Sequence, residues 1–147
     1  MRTSVKFFDT YIVITGNKDE IQMAEIDHAF YDDELDGEML KAHQQVYAYS
    51  QHQLKSFDLN LKPKGTEFQK EVWKALSQIP YGETRTYQEI ARIINRPKAV
   101  RAVGQACKRN PIGVIVPCHR VVGVKGLTGY YGGLDLKAKL LEFEKIK

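Results

Sequence analysis

A pair of capping boxes in the second half of the chain constrains its fold more than any other feature. Thr66-x-x-Gln69 and Thr86-x-x-Glu89 each place a threonine three positions ahead of a side chain that can bond back to it, which is the signature of a helix N-terminus. The first helix carries an apolar stripe with helical spacing: Phe68, Val72, Trp73, Leu76 and Ile79. Proline and glycine within residues 80–82 predict the end of this helix.

The second capping box predicts a short helix that residues 95–97 (NRP) interrupt, followed by a helix over residues 98–109. Two short helices joined by a brief turn are typical of a helix-turn-helix. The second of them is rich in small residues, with Ala102 and Gly104 beside the long side chain of Arg101. Since major-groove readers usually carry Asn, Gln or Arg near the helix start, this helix suits either close approach to a backbone or narrow groove, or tight packing against another helix.

The first half of the chain has the pattern of strands followed by a helix. Runs rich in β-branched and aromatic residues at 5–8, 11–15 and 21–26 predict three strands. A helix is expected over 34–55 and a last strand over 57–61, and residues 62–65 (KPKG) are the best candidate for a linker. We therefore expect an α+β protein with an N-terminal α/β lobe over 1–62 and a C-terminal domain over 63–147.

Charge separates the two halves. Residues 1–64 contain 7 Lys and Arg against 11 Asp and Glu, whereas residues 65–147 contain 15 against 7. The second half therefore has a net charge of +8 and the first half a net charge of −4. A basic half of this kind indicates a polyanionic partner, although a solvated charged face gives the same counts.

Composition narrows the class of protein. Hydrophobic residues make up 43% and charged residues 27%, as in ordinary soluble globular proteins, and no apolar run reaches the roughly 18 residues of a membrane span. We expect a cytoplasmic protein, or a nuclear one in a eukaryote, with no membrane partner. Two cysteines and four scattered histidines form no local ligand motif, so no metal and no cofactor are expected.

Cys118 is the strongest candidate for chemistry. It follows an apolar run over 112–116 that predicts a buried strand or extended segment, and it precedes His119 and Arg120. A free cysteine is most often a small core hydrophobe, but polar or cationic neighbours favour the reactive thiolate. Because consecutive residues of an extended chain point to opposite faces, His119 is expected to act on Cys118 only through a turn or a bridging water.

Residues 117–122 (PCHRVV) resemble the active-site motif of the O6-alkylguanine-DNA alkyltransferases. Five further segments follow the order and spacing of that family: TYQEIA (86–91), RAVG (101–104), NP (110–111), GYYGG (129–133) and LLEFE (140–144). The similarity covers residues 66–146. It implies a ribonuclease H-like N-terminal lobe of β-sheet and helix, followed by a helical C-terminal lobe with a winged-helix-like helix-turn-helix.

The resemblance implies DNA repair by direct reversal. The damaged nucleotide is flipped out of the duplex, and the alkyl group of O6-alkylguanine, and of O4-alkylthymine, is transferred irreversibly to Cys118. His119 then serves as the base through a water, Glu144 orients the histidine, and Tyr87 donates a proton to ring nitrogen N3. A thioether cannot be cleaved by thiol–disulfide exchange, so each protein acts once and Cys107 is no resolving cysteine.

The resemblance also assigns DNA contacts. The second helix of the helix-turn-helix enters the minor groove, where Ala102 and Gly104 allow close approach and Arg101 fills the gap left by the flipped base. Thr86 and Gln105 are expected to contact DNA as well. The partner is double-stranded DNA read with little sequence preference, and we expect a monomer.

The remaining residues implied by the resemblance form a hinge and a pocket. Asn110 matches the hinge between the recognition helix and the active-site segment, with Pro111 beside it and Val121 in the segment that reads the guanine edge. The loop over 126–133 is one residue shorter than in some relatives, so either Tyr130 or Tyr131 is the pocket tyrosine, and Tyr130 is favoured.

Three other functions fit parts of the sequence. Alkyltransferase-like proteins bind the lesion without removing it, and they lack the acceptor that Cys118 supplies here. The alanine-rich face with Arg101 argues against a transcription regulator, and nothing beyond Cys118 and His119 resembles a cysteine hydrolase. Residues 1–60 contain no cysteine, so the zinc site of some relatives cannot be carried over.

Overall fold

The protein divides into two compact units. A computed structural model describes residues 1–124 and 133–145. The first unit comprises Met1–Lys64 together with Pro111–Ile115, and the second comprises Gly65–Asn110 together with Val116–Lys147. Sheet and helix are mixed, so the α+β class predicted from the sequence is confirmed. The predicted Tyr130 and Tyr131 lie outside the described residues.

The first unit contains a three-stranded antiparallel sheet and one helix. Strands β1 (Arg2–Phe7), β2 (Thr10–Gly16) and β3 (Ile21–Asp27) pair in chain order. Helix α1 (Gly37–Ser50) buries one stripe against this sheet: Met39, Ala42, Val46 and Tyr49. Their spacing is that of one helix face, and burying each large apolar side chain contributes about 1.5–3 kcal/mol.

Helix α1 is shorter than the 34–55 predicted. The backbone just before it is bonded to β1, where Arg2 N donates to Asp33 Oδ2 at 2.8 Å and Asp33 N donates to Arg2 O at 3.2 Å. The helix begins at Gly37, whose φ of 54° favours glycine. It ends at Ser50, and His52 then adopts a left-handed φ of 59°.

The prediction of a strand over 57–61 is wrong, because the structure has no strand there. Within this segment Leu61 alone is bridged, in an isolated pairing with Ile21. Side chains of α1 take the backbone donors of the segment, because Asp58 N donates to Gln45 Oε1 at 2.9 Å and Asn60 N donates to Glu38 Oε2 at 2.8 Å. Donors used in this way leave no ladder for a strand.

The segment Pro111–Ile115 forms neither of the two conformations predicted for the apolar run before Cys118, a strand or an extended segment, because residues 113–115 form a turn. Ala24 N donates to Pro111 O at 3.0 Å and Gly113 N donates to Ala24 O at 2.8 Å, which makes one isolated bridge. Val114 then has a φ of 68°, a left-handed conformation that a β-branched residue rarely adopts, and it breaks the extended path. The run is nevertheless buried, as its apolar composition requires.

The second unit is built on the helices that the capping boxes predicted. Helix α2 (Glu67–Leu76) and helix α3 (Tyr87–Ile93) both begin with a complete capping box, at Thr66 and Thr86. Helix α4 (Val100–Lys108) follows α3 after a short turn, within the predicted 98–109. Trp73 of α2 donates its indole N–H to Ala106 O of α4 at 2.8 Å, which satisfies the polar atom of a buried aromatic side chain.

The remaining elements of the second unit position the cysteine motif. A 3-10 turn (Cys118–Arg120) leads into strand β5 (Val121–Val122), which pairs in parallel with strand β4 (Arg85–Thr86). Helix α5 (Leu134–Phe143) contacts the 3-10 turn. Within residues 1–124 and 133–145, no helix has both the length and the apolar character needed to cross a membrane.

Candidate active site

Cys118 opens the 3-10 turn and is buried, with 2% of its surface exposed. Cys118 N donates to Val116 O at 2.9 Å, and Arg120 N donates to Pro117 O at 3.0 Å, so the backbone turns at the cysteine instead of continuing extended. The buried amide of Asn110 donates to Val116 O at 2.9 Å and to Cys118 Sγ at 3.3 Å. Asn110 therefore holds both the sulfur and the backbone that leads to it.

Next to the cysteine in the chain lies a buried charged cluster. His119 Nε2 lies 2.8 Å from Glu144 Oε2, and the guanidinium of Arg120 binds the same carboxylate through Nε to Oε1 at 2.8 Å and Nη2 to Oε2 at 3.0 Å. Arg120 Nη1 also donates to Ile79 O at 2.7 Å, just beyond the end of α2. All three side chains belong to residues that are at least 95% buried. The sequence predicted the histidine–glutamate pair, and the structure brings it together.

Electrostatics set the protonation of this cluster. Burial alone would raise the pKa of Glu144, but the hydrogen bonds from His119 and Arg120 outweigh it and lower the pKa to about 2. Burial lowers the pKa of His119, and the charge of Arg120 lowers it further, against the opposing effect of Glu144. At neutral pH the site therefore holds a carboxylate, a guanidinium and a neutral imidazole.

A neutral imidazole beside a carboxylate carries its proton on the nitrogen that faces the carboxylate. For His119 that nitrogen is Nε2, so Nδ1 supplies the lone pair that can accept a proton. From the sequence, Arg120 was expected to be a polar or cationic neighbour that favours the thiolate. The structure instead pairs Arg120 with Glu144, where it keeps the carboxylate ionised.

Tyr87 and Lys137 form a second polar pair in this unit. Tyr87 is the first residue of α3, and Lys137 Nζ donates to its Oη at 3.4 Å and lies 5.6 Å from its ring centroid. Lys137 has no exposed surface at all. Sequence reasoning did not single out Lys137, although it lies two helical turns before Glu144, the residue that caps the C-terminus of α5.

The second cysteine has a different environment from an activated thiol. Burial raises the pKa of Cys107 to about 12, with a further rise from Cys118 that Lys137 partly opposes. Cys107 packs on the buried face of α4 with Val103 and Ala106. A thiol of this kind is inert at neutral pH.

Helix α4 presents a separate exposed face. Arg101, Ala102 and Gln105 are exposed, whereas Gly104 is half-buried. A side chain added at Gly104 would lie 4.0 Å from the ring of Tyr87. The small residues of α4 serve two purposes. Ala106 packs in the core, whereas the short side chain of Ala102 leaves the backbone of the exposed face accessible to a close contact.

The other predicted site residues have varied surroundings. The Thr86 hydroxyl accepts a hydrogen bond from Glu89 N as the helix cap, and Val121 is fully buried in β5. Pro111 belongs to the first unit, where its carbonyl accepts from Ala24. Among residues 1–124 and 133–145, no group of three or more His, Cys, Asp or Glu side chains could hold a metal ion.

Comparison with known proteins gives a consistent result. Residues 67–146 match the family model described as 6-O-methylguanine DNA methyltransferase, DNA binding domain. A methylated-DNA–protein-cysteine methyltransferase of Methanosarcina acetivorans is 63% identical over 105 residues, which span 71% of this chain and 67% of that relative.

Solved structures extend the similarity to the first unit. The structure of Mycobacterium tuberculosis OGT in complex with DNA matches with a TM-score of 0.86 and 40% identity, over 98% of this chain and 92% of that chain. The S. pombe protein Atl1, in complex with damaged DNA containing O6-carboxymethylguanine, matches with a TM-score of 0.50 and 34% identity. That match spans only 57% of this chain and 81% of Atl1.

Proposed function

The chain belongs to the O6-methylguanine-DNA methyltransferase family, and on this premise we propose that it repairs DNA by transferring the alkyl group of O6-alkylguanine to its own Cys118. One observation carries the proposal. Cys118 lies in the same turn as the buried neutral imidazole of His119. The carboxylate of Glu144 orients this imidazole, and the guanidinium of Arg120 neutralises the carboxylate. Such an arrangement is what a thiol needs in order to lose its proton in a buried site.

The first step is formation of the thiolate. The Cys118 proton passes through a water to Nδ1 of His119, and the imidazolium that forms is stabilised by the carboxylate of Glu144. Glu144 supplies this charge without taking up the proton, because its own pKa is held at about 2. The amide of Asn110 donates toward Sγ and so stabilises the developing anion.

The second step is a direct displacement. The sulfur attacks the alkyl carbon, the new S–C bond forms as the C–O6 bond breaks, and the electron pair passes to the purine. Tyr87 gives its hydroxyl proton to N3, so guanine leaves as a neutral base. A phenol suits this task because it stays protonated at neutral pH and donates well. The S-alkylcysteine is stable, so each molecule of protein repairs one lesion.

Delivery of the lesion is assigned to α4. Its exposed face combines the short side chain of Ala102 with the long side chain of Arg101. This combination suits a helix that lies in the minor groove with an arginine in place of the flipped nucleotide. Thr86, Gln105 and Gly104 are proposed to line the same DNA contact. The net charge of +8 over residues 65–147 supplies affinity for phosphate that depends little on sequence.

Finer aspects of the proposal rest on the family alone. They are action on O4-alkylthymine, function as a monomer, and a location in the cytoplasm or, in a eukaryote, the nucleus. Asn110 and Pro111 are proposed as the hinge beside the active site, and the backbone near Val121 as the reader of the guanine edge.

A direct experiment tests the transfer. The protein is incubated with duplex DNA carrying one O6-methylguanine, and its peptides are then mapped by mass spectrometry. We expect one added methyl group on Cys118, none on Cys107, and guanine restored in the DNA. The Cys118→Ser variant serves as the control and is expected to bind the DNA without accepting the methyl group.

The same experiment separates the second candidate function. A protein related to Atl1 in activity would bind the lesion tightly and leave it in place. That outcome, or repair of many lesions by one molecule, contradicts the proposed transfer. The partial match to Atl1 and the presence of Cys118 both favour transfer over binding alone.

A further inference from the structure

Arg120 is a buried cation that the steps above do not use. Its guanidinium holds both oxygens of Glu144, through Nε to Oε1 at 2.8 Å and through Nη2 to Oε2 at 3.0 Å. His119 Nε2 lies 2.8 Å from the same Oε2, so the histidine shares this oxygen with the arginine. A carboxylate by itself can orient an imidazole and stabilise the imidazolium. Those two tasks therefore do not account for a second cation on the carboxylate.

The turn over residues 79–82 also contacts this guanidinium. Ile79 O accepts from Arg120 Nη1 at 2.7 Å, and the centre of the Tyr81 ring lies 5.7 Å from Arg120 Cζ. All three nitrogens of the guanidinium thus have an acceptor, and a ring at this distance attracts the cation. The side chain of Arg120 is 6% exposed, whereas Tyr81 is half-buried. A substitution at Tyr81 therefore loosens the group from its edge and leaves its buried centre in place.

We propose that Arg120 restrains His119 as a base by sharing the carboxylate of Glu144, and that Tyr81 is the positioning residue that keeps the guanidinium on that carboxylate. The inference rests on the proposed function, because His119 is the base of that function. Its consequence is a smaller fraction of thiolate at Cys118 in the resting protein.

The charges around the imidazole oppose one another. Burial lowers the pKa of His119, Glu144 raises it, and the charges of Arg120 and Lys137 lower it again. Without the charge of Arg120, Glu144 acts on the imidazole with less opposition, so the pKa of His119 rises. When the Cys118 proton moves through water to Nδ1, the products are a thiolate and an imidazolium. A more basic imidazole shifts this transfer toward the products.

The ionisable groups around this proton transfer lie on three elements: Glu144 and Lys137 on α5 and its C-terminal cap, Arg120 and Cys118 in the 3-10 turn, and Tyr81 after α2. Burial raises the pKa of Tyr81, and the charge of Glu144 raises it further. The phenol therefore stays neutral at physiological pH, and its ring acts on Arg120 as a neutral group.

A restrained thiol suits a protein that acts once. A stray electrophile that alkylates Cys118 consumes the protein as completely as a lesion does, because a thioether is not reversed. A lesion held in the site reacts as if its concentration were as high as about 10⁵–10⁸ M. Such a lesion tolerates a weakly activated thiol, whereas a dilute electrophile then reacts slowly. Arg120 therefore favours the bound lesion over molecules that meet the cysteine by collision.

Two other roles for Arg120 predict different results. If Arg120 activates the site through Glu144, its loss slows every alkylation of Cys118. If Arg120 only stabilises the fold, its loss lowers the free energy of unfolding and leaves the reactivity of the folded protein unchanged. Restraint alone predicts a faster reaction at neutral pH.

The test measures the rate of reaction of Cys118 with methyl iodide from about pH 5 to about pH 10, a range that spans the ordinary pKa values of histidine and cysteine. Methyl iodide is small and needs no DNA, and peptide mass spectrometry assigns each methyl group to Cys118 or Cys107. The titration of His119 is followed in parallel by NMR.

Three variants loosen the group to different extents. Arg120→Gln removes the charge, Tyr81→Leu removes the ring, and Tyr81→Phe keeps the ring without its hydroxyl. Tyr47→Leu is the matched control, because it removes a tyrosine of α1 that is 55% exposed.

A neighbouring charge moves a pKa by about 1–3, and a difference of one is tenfold in a protonation equilibrium. We therefore expect Arg120→Gln to react about tenfold faster than wild type at pH 7 and Tyr81→Leu about threefold faster, with the pKa of His119 raised in both. At pH 10 every thiol is ionised, so the rates should converge within about twofold. Tyr81→Phe should recover most of the wild-type pH profile, and Tyr47→Leu should match it.

Three results would overturn the proposal: an Arg120→Gln variant no faster than wild type at pH 7, an unchanged pKa of His119 in that variant, or a faster rate that persists in full at pH 10. The last result would indicate wider access to Cys118 instead of a changed ionisation. A Tyr81→Leu variant that behaves like Tyr47→Leu would refute the part given to Tyr81.

Urea unfolding checks that each variant is folded, and if Arg120→Gln is not, Tyr81→Leu decides by the same three results. Methyl transfer from duplex DNA containing O6-methylguanine is measured separately with the wild type. Absence of that transfer refutes the proposed function itself. Transfer by the wild type, together with an Arg120→Gln variant that is no faster with methyl iodide, refutes only the restraint.

Discussion

Substitution of Glu144 by glutamine tests the buried charge cluster most directly. The pKa of Glu144 is about 2 in the folded protein against an ordinary value of 4.5. A difference of one in pKa corresponds to about 1.4 kcal/mol, so the ionised carboxylate contributes about 3 kcal/mol to the stability of the folded state at pH 7. The neutral amide that Glu144→Gln introduces also leaves the guanidinium of Arg120 buried without an anion, and breaking a buried ion pair typically costs about 3–5 kcal/mol.

The pH dependence has a defined sign. Because the pKa of Glu144 is lower in the folded state, its stabilisation is complete above about pH 4.5 and is lost as the pH falls toward 2. The gap in stability between wild type and Glu144→Gln should therefore shrink by about half at pH 3, since the carboxylate of the unfolded wild type is then protonated while that of the folded protein is still mostly ionised.

Urea unfolding at a series of pH values measures this gap. With a typical slope of about 2 kcal/mol per molar urea, the midpoint of Glu144→Gln should fall by about 1.5 M at pH 7. Glu142→Gln, in the last turn of α5 two residues before Glu144, is the matched control. Glu142 has a 77% exposed side chain and pairs with Lys145 at 3.4 Å on the surface, so its loss should change stability by less than about 1 kcal/mol.

Two outcomes would refute the reasoning. One is a Glu144→Gln variant as stable as Glu142→Gln at pH 7. The other is a gap that stays constant from pH 7 to pH 3, because the stabilisation would then not come from the ionised carboxylate.

Three further changes test other parts of the site and the fold. Arg101→Ala should slow transfer from duplex DNA far more than reaction with free O6-alkylguanine base, in single-turnover assays of both; equal losses would remove Arg101 from base flipping. Cys107→Ala should transfer the methyl group at a rate within about twofold of wild type in the same assay, since a thiol with a pKa of about 12 is no nucleophile at neutral pH. An inactive Cys107→Ala variant would contradict this expectation. Thr66→Ala should cost about 1 kcal/mol of stability in urea unfolding, from loss of the N-cap, and Thr66→Ser should restore most of it.

Local signals in the sequence predicted the helical part of the fold well. A capping box is complete within four consecutive residues, so the starts at Thr66 and Thr86 depend on no distant contact, and both are confirmed. The antiparallel strands of the first unit were likewise visible as β-branched runs bounded by turns. The domain limits of 1–62 and 63–147 stay a prediction.

Errors arose where a distant partner decides the conformation. The residues over 57–61 have strand composition, but side chains of α1 occupy the donors of Asp58 and Asn60. The run before Cys118 is apolar enough for a strand, but the left-handed conformation of Val114 interrupts it. Strand formation needs a ladder partner as well as a suitable sequence, and no local pattern shows whether the partner is present.

The sequence by itself determined where α2 and α3 begin and which half carries the positive charge, and through a family motif it predicted that Cys118, His119 and Glu144 belong to one site. Only the tertiary structure decided that Arg120 shares the carboxylate of Glu144 and that Lys137 lies against Tyr87. The physical reason is that charged side chains are mostly exposed, so a sequence pattern predicts each of them to lie on the surface. It becomes part of a site only when folding removes water from it and brings its partner from a distant part of the chain.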